Sequence, residues 1–413
     1  MRLVLLALRN LARNRRRTFL SLLVVAAGSI ALLLTAGFVA TAFTGLREAL
    51  IHGGLGHLEV ATAEALAGSR IAAERSIEQG LVGWETLRAE VEKVPGVRGA
   101  GANIHLMGLV TKGNTTTSFL GLGVEPDRER KMEFPVRIRD GADLPPEPPP
   151  EGEDRVLLAT GLARTLGARP GDTVTVLSMA GEGSLNAVDL VVAGIYTTGV
   201  ADLDTRMLKI HLASARRLLG TDRVSDLVVT LDRSSDSDRL RGEIEGRLRK
   251  IDPSVRLLGW RERAPFYDQV AALYSGVFWF LGAIIFVLVV LSASNTLLMS
   301  ILERVREIGT LLAIGTSRAQ VTILIVAEAL WLGLIGAVVG DLLGLILIVV
   351  INAAEIEMPP PPGAVSGIVL ELSPVPAAFL GTIALMLVVL GLASIAPTVK
   401  VLRLRIVEAL GHV

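Results

Sequence analysis

Four long apolar blocks stand out from an otherwise ordinary mixture of polar and apolar positions along the chain. The first, Thr18 to Phe43, carries no charge. A helix rising about 1.5 Å per residue needs about 20 such residues to cross roughly 30 Å of hydrocarbon. The apolar region of a cleaved secretory signal is only about 7–15 residues, so this block reads as a retained span. The pattern predicts transmembrane helices over 18–45, 271–299, 320–351 and 374–397. Pro374 and Pro376 stand at the entrance of the last, where a missing N–H costs least.

Residues 46–270 read as a soluble domain lying between the first and second spans. WETLRAEVEKVPGVR at 84–98 is an amphipathic helix followed by a Pro-Gly break and an extended run. DRLRGEIEGRLRKIDPSVRLLGW at 238–260 repeats that plan. Helix–turn–strand units at the two ends imply an α+β lobe whose sheet is built from both halves of the domain. Between them, about 113–230, partial alternation and a Pro-Gly turn predict a second, insert-like lobe of strands. The proline-heavy stretch 139–155 is expected to be a mobile excursion. The predicted fold class is therefore a membrane protein with four transmembrane α-helices and a large two-lobed α+β extracytoplasmic domain between helices 1 and 2.

Charge changes the picture only next to the spans, since the chain as a whole is neutral. Arg2, Arg9, Arg13, Arg15, Arg16 and Arg17 precede the first span; Arg304, Arg306 and Arg318 lie between the second and third; Lys400, Arg403 and Arg405 follow the fourth. Residues 352–373 contain no Lys or Arg. The excess of cations in short cytoplasmic flanks predicts cytoplasmic termini (1–17 and 398–413), a cytoplasmic 300–319 segment, and an outer 46–270 domain. Residues 2–17 have the spacing of an amphipathic helix lying on a membrane surface, or are simply a topological flag.

Composition mainly excludes. There is no cysteine, hence no thiolate chemistry, Cys-ligated zinc or disulfide. No G-x-x-x-x-G-K-[ST], H-E-x-x-H or G-x-S-x-G occurs, so neither a phosphate-cradling loop nor a familiar catalytic constellation is visible. No catalytic, cofactor-binding or metal residue is expected, and neither enzymatic activity nor nucleic-acid binding. His52 and His57 in HGGLGH lack a third ligand. Asp202 and Asp204 in TGVADLDTR fit a loop cap better than a cation site.

Apart from serines and threonines, the polar residues singled out inside the apolar blocks are Asn295, Glu328 and Asp341. A carboxylate at membrane depth usually faces a partner helix or a wet cavity. With the third span starting near Val321, Asp341 is expected to approach the outer interface. Gly336 and Gly340, four apart, offer close helix packing, within the chain or against a second permease. In SILERVREIGTLLAI, Ile301, Val305, Ile308 and Leu312 form one apolar stripe, with Glu303, Arg306, Glu307 and Thr310 opposite. That short cytoplasmic helix is either an ordinary loop element or a docking element for a soluble partner.

ALRNLARNRRRTFL at the start, Asn295 followed by ERVREIGTLLAIG, Glu328 ahead of the glycine-rich third span, and VLRLRIVEAL at the end resemble one superfamily of ABC transporter permeases. It comprises proteins like the macrolide exporter MacB, the lipoprotein-releasing permeases LolC and LolE, and FtsX. The resemblance spans nearly the whole chain and is nearest to the lipoprotein-releasing permeases. It implies a bacterial inner-membrane subunit whose coupling helix, with Glu303, Arg304, Arg306, Glu307 and Gly309, sits in a groove of a separate cytoplasmic ABC ATPase dimer. ATP and Mg are then handled by that partner, a second permease copy (identical or related) completes the complex, and motion is transmitted to the outer domains. Lipoprotein or lipid release is the implied task. MacB-like efflux of peptide or drug through a periplasmic adaptor and FtsX-like control of a cell-wall enzyme are the alternatives. Leu312 departs from the pattern, which more often has a basic residue there.

Overall fold

A computed structural model describes residues 7, 9, 11, 15–68, 75–134, 136–180, 183–358 and 368–402. The N-terminal surface helix (apart from residues 7, 9, 11 and 15–17), the stretch 359–367, and Arg403 and Arg405 lie outside the described residues. The described residues form two compact units: those within 45–269, with residue 368, and the remainder.

The elements in chain order are α1 (Arg15–Leu50), β1 (Leu58–Thr62), α2 (Trp84–Glu92), β2 (Val97–Lys112), β3 (Thr115–Val124), β4 (Arg137–Gly141) and β5 (Arg155–Ala159). There follow β6 (Thr173–Met179), β7 (Leu185–Thr197), β8 (Met207–His211), α3 (Leu212–Leu219), β9 (Asp226–Leu231), α4 (Ser237–Leu248) and β10 (Val255–Gly259). The chain ends with α5 (Pro265–Glu303), α6 (Val305–Ala313), α7 (Arg318–Ala353) and α8 (Pro376–Ala393), together with several helices of a turn or two.

In the inserted unit, β10, β1, β9 and the first half of β2 form one sheet, so its two chain ends are neighbouring strands. Strand periodicity places Leu58, Val60, Ala100, Ala102, Leu227 and Val229 on one face, where Trp84, Leu87 and Val91 of α2 and Leu240, Ile244 and Leu248 of α4 join the same core. The sheet draws on both halves of the domain, as the paired helix–turn–strand units imply.

The second half of β2 leaves this sheet and joins β3 and β6. Pairing runs β2–β3–β8–β5–β7–β6 and back to β2, so six strands close into a barrel. Val110, Phe119, Val156, Leu158, Val174, Val176, Leu190, Val192, Leu208 and Ile210 are all buried. The expected lobe boundary of 113–230 therefore shifts. The barrel begins inside β2, and β9 belongs to the first sheet, because the 16-residue β2 serves both lobes. The proline-heavy loop also differs from expectation. Leu144 is buried against Leu157, Ala159 and Tyr196, and Arg130 donates to the Leu144 carbonyl, so this stretch covers a flank of β5.

Among the described residues, four helices are long and apolar enough to cross a membrane: Thr18–Leu55, Pro265–Glu303, Arg318–Ala353 and Pro376–Lys400. Val25, Val289, Ala293, Leu297, Ala329, Leu332, Met386 and Leu390 make their common core, drawn from all four. The 36 residues of α7 rise about 54 Å, more than the hydrocarbon thickness.

Candidate coupling site on the membrane unit

The helix expected over 300–314 is not continuous. α5 runs on to Glu303, the backbone breaks at Arg304 (φ −104°, ψ 11°), and α6 restarts at Val305. Glu303 thus belongs to the span and Arg306, Glu307 and Gly309 to α6. The apolar stripe survives the break. Ile301 is buried with Val321 and Ile325 of α7, and Ile308 and Leu312 pack on them. Leu312, which replaces the basic residue seen in the resemblance, is used in this packing. Val305 and Gly309 are buried, while Arg306, Glu307 and Thr310 face outward. After α6 the chain turns at Gly315 (φ 98°), a conformation L side chains rarely adopt. Ser317 and Gln320 then form a reciprocal cap at the start of α7, at 3.3 and 2.9 Å.

Arg304 occupies the break. Its Nε donates to Glu307 Oε2 at 3.1 Å, and its Nη1 lies 3.3 and 3.4 Å from the two carboxylate oxygens of Glu328. One guanidinium therefore joins the end of α5, the first turn of α6 and the body of α7. Glu328, whose carboxylate falls in an apolar helix, thus has a cationic partner. The sequence separates these residues by 24 positions, and only the break at Arg304 brings them together.

Asp341 is buried in the helix core, where Thr382 of α8 lies 2.9 Å from both its oxygens. Sequence reading missed Thr382, because nothing in an apolar block marks which hydroxyl faces a neighbour. Gly340, beside Asp341, packs on α1: a Cβ there would fall 2.6 Å from the Ala26 carbonyl oxygen and 2.7 Å from Ser29 Cβ. At Gly336 a Cβ would meet Val25 at 2.7 Å. Both glycines are thus used within the chain. Asn295 is exposed on α5.

The polar residues of the inserted unit serve its own structure. Asp204 accepts from Thr197 Oγ1 (2.6 Å), Thr160 Oγ1 (2.9 Å), and the N–H and hydroxyl of Thr198 (both 2.7 Å). Burial pushes its carboxyl up, but the threonine hydrogen bonds outweigh burial and hold it below the usual carboxylate range. Asp202 is exposed beside Arg206 at 3.1 Å. His57 accepts the Leu231 N–H at Nδ1, at 3.1 Å, so its neutral ring carries the proton on Nε2, 3.0 Å from Ser234 Oγ. Burial pushes its pKa down to about 4. Among the described residues no three His, Asp or Glu side chains are grouped to hold a metal ion.

Four apolar helices, an α+β insert between the first two, and a short half-buried helix fastened behind the second define a four-span membrane protein with one large inserted domain. The sequence model of the MacB-like periplasmic core domain matches residues 18–247, and that of the FtsX-like permease C-terminal region matches residues 279–406. The chain belongs to the MacB-like periplasmic core domain family, within the ABC permease superfamily that also includes LolC and FtsX. It is 24% identical over 275 residues to the lipoprotein-releasing system transmembrane protein LolC of Neisseria meningitidis, covering 64% of each chain. It is 28% identical over 158 residues to an uncharacterized ABC transporter permease of Methanocaldococcus jannaschii, covering 38% of this chain and 40% of that one. The chain thus spans less than two thirds of these relatives' lengths. Among solved structures, the periplasmic region of MacB from Actinobacillus actinomycetemcomitans aligns with a TM-score of 0.39 and 13% identity, covering 53% of this chain and 95% of that one. The extracellular domain of the transporter YknZ from Gram-positive bacteria gives 0.36 and 14%, covering 49% and 99%.

Proposed function

We propose that this chain is the permease subunit of an ABC transporter, and that α6 is the element gripped by a separate cytoplasmic ATPase dimer which binds ATP and Mg. The observation that carries this reading is the division of α6 into two sides. One side is buried on the spans, and the other, with Arg306 and Thr310, is exposed beyond a break fastened by Arg304 to Glu328. A helix held this way behaves as a handle: a push on its outer side is carried into α5 and α7 rather than absorbed by a loop. On this reading the protein sits in a bacterial inner membrane with both termini cytoplasmic, residues 46–270 outside, and a second permease copy beside it.

Release of a lipoprotein or lipid is the preferred task, supported by the likeness to a lipoprotein-releasing protein over 275 residues. Gentle extraction of the complex, trapped without ATP hydrolysis, tests the assignment. The expected result is an ATP-hydrolysing partner with lipoprotein or phospholipid retained. Retention of a periplasmic adaptor and a peptide would favour efflux, and retention of a cell-wall hydrolase or its activator would favour regulation. A lone chain that hydrolyses ATP would overturn the reading.

A further inference from the structure

The two chain ends of the inserted unit converge on one side chain. Helix α1 gives way to a π-helical turn, Ile51–Leu55, in which Gly54 has φ 117° and added Cβ atoms at Gly53 and Gly54 would meet nothing within 4 Å. The turn is bracketed by hydrogen bonds: Ser234 Oγ donates to Glu48 Oε1 at 3.0 Å before it, and Gly56 N–H donates to Ile51 O at 2.9 Å across it. The carbonyl of its last residue, Leu55, accepts a hydrogen bond from Arg263 Nη1. Arg263 stands two residues before Pro265, where α5 begins. Its Nε also lies 2.7 Å from Glu59 Oε2, in the middle of β1.

The pair is deep inside the unit. The side chains of Glu59 and Arg263 are 0% and 6% exposed, and Arg75 takes the other oxygen of Glu59. A carboxylate removed from water to this extent needs both cations, and each is costly to lose. Nearby, burial pushes the Asp226 carboxyl up, but His105 at 2.8 Å, with Arg263 and Arg75 beyond it, holds it below the usual range. Backbone pairing reinforces the junction: Leu58 is opposite Gly259 in the β1–β10 ladder, and Trp260 N–H donates to His57 O at 3.1 Å.

We infer that Arg263 is a positioning residue that clamps the chain leaving the first span, and the chain just before the second, to the interior strand β1. The segments that flank β1 and β10 then move with these strands as one piece. This rests on the permease reading above, in which span motion is passed to the outer domain.

Arginine is required because two acceptors in different directions must be met by one planar group. Lysine keeps the cation that Glu59 needs but can reach only one of them. Arg263→Lys is therefore the informative variant, whereas Arg263→Gln leaves Glu59 with a single cation and is expected to lower the melting temperature. The chain has no cysteine, so Asp222→Cys, at a side chain 97% exposed, gives a unique spin-label position on each copy. In the full complex in nanodiscs, the distance between labels on the two permease copies is measured with and without ATP plus vanadate. The expected result is a nucleotide-dependent change with native Arg263 that falls below about half in Arg263→Lys, with melting temperature and ATP hydrolysis kept. A full change in Arg263→Lys overturns the clamp and leaves the permease reading intact. No change with native Arg263 overturns both.

Discussion

The guanidinium of Arg304 lies 3.3 Å from the carboxylate of Glu328, fastening the break between α5 and α6 to α7. Removing one partner strands the other in a half-buried site, which costs more than the pair contributes. Arg304→Ala and Glu328→Ala are each expected to destabilise the solubilised chain by about 1–3 kcal/mol, and the double variant by less than their sum. Thermal melting in detergent checks this. If the pair is also the joint of the handle, Arg304→Ala retains ATPase binding while losing ATPase stimulation.

The glycines of α7 give a graded steric prediction. Gly340→Ala drives a Cβ to within 2.6 Å of the Ala26 backbone oxygen, which cannot rotate away, whereas Gly381 of α8 has nothing within 4 Å. The first substitution is expected to cost about 1–3 kcal/mol. The second is expected to be neutral or slightly stabilising, since Ala favours helix over Gly by up to about 1 kcal/mol. Melting of the two variants side by side separates packing from propensity.

Asp204 holds the 197–205 loop through four donors. Asp204→Ala leaves the buried Thr197 hydroxyl and the half-buried donors of Thr160 and Thr198 without their acceptor, and is expected to destabilise the inserted unit by about 1–3 kcal/mol. The folded carboxyl titrates below its unfolded value, so its contribution is present above the unfolded pKa and lost as pH falls through the folded one. Limited proteolysis of the full chain, at neutral and acid pH, reads both effects.

His57 imposes a slope at milder pH. Its pKa falls from 6.5 to about 4 on folding. Between those values the unfolded chain binds a proton that the folded one refuses. Stability is therefore full above about 6.5 and declines as pH drops towards about 4, by at most ~1.4 kcal/mol per pH unit. His57→Asn supplies an oxygen to the Leu231 N–H without titrating, and its proteolysis profile over this range is expected to be flatter than that of the native chain.

The spans and the α+β insert were legible because uninterrupted apolar runs and helix–turn–strand repeats are local signals. The closed barrel was not. β2 pairs with β9 along its first half and with β6 along its second, a division set by long-range partners. Glu328 and Asp341 were recognisable as costly, but their partners Arg304 and Thr382 were not, because one depends on where a helix breaks and the other on which faces of α7 and α8 meet. For the same reason residues 139–155, polar and rich in proline, read as a free loop although Leu144 anchors them.

The outward side of α6 decides the rest. With no native cysteine, Thr310→Cys places the only thiol there. Exposing intact cells to a membrane-impermeant maleimide should leave it unlabelled. Opening the cells should permit labelling, and added ATPase should slow it. Labelling of position 310 in sealed cells would put α6 on the outside, beyond reach of any cytoplasmic motor, and contradict the account.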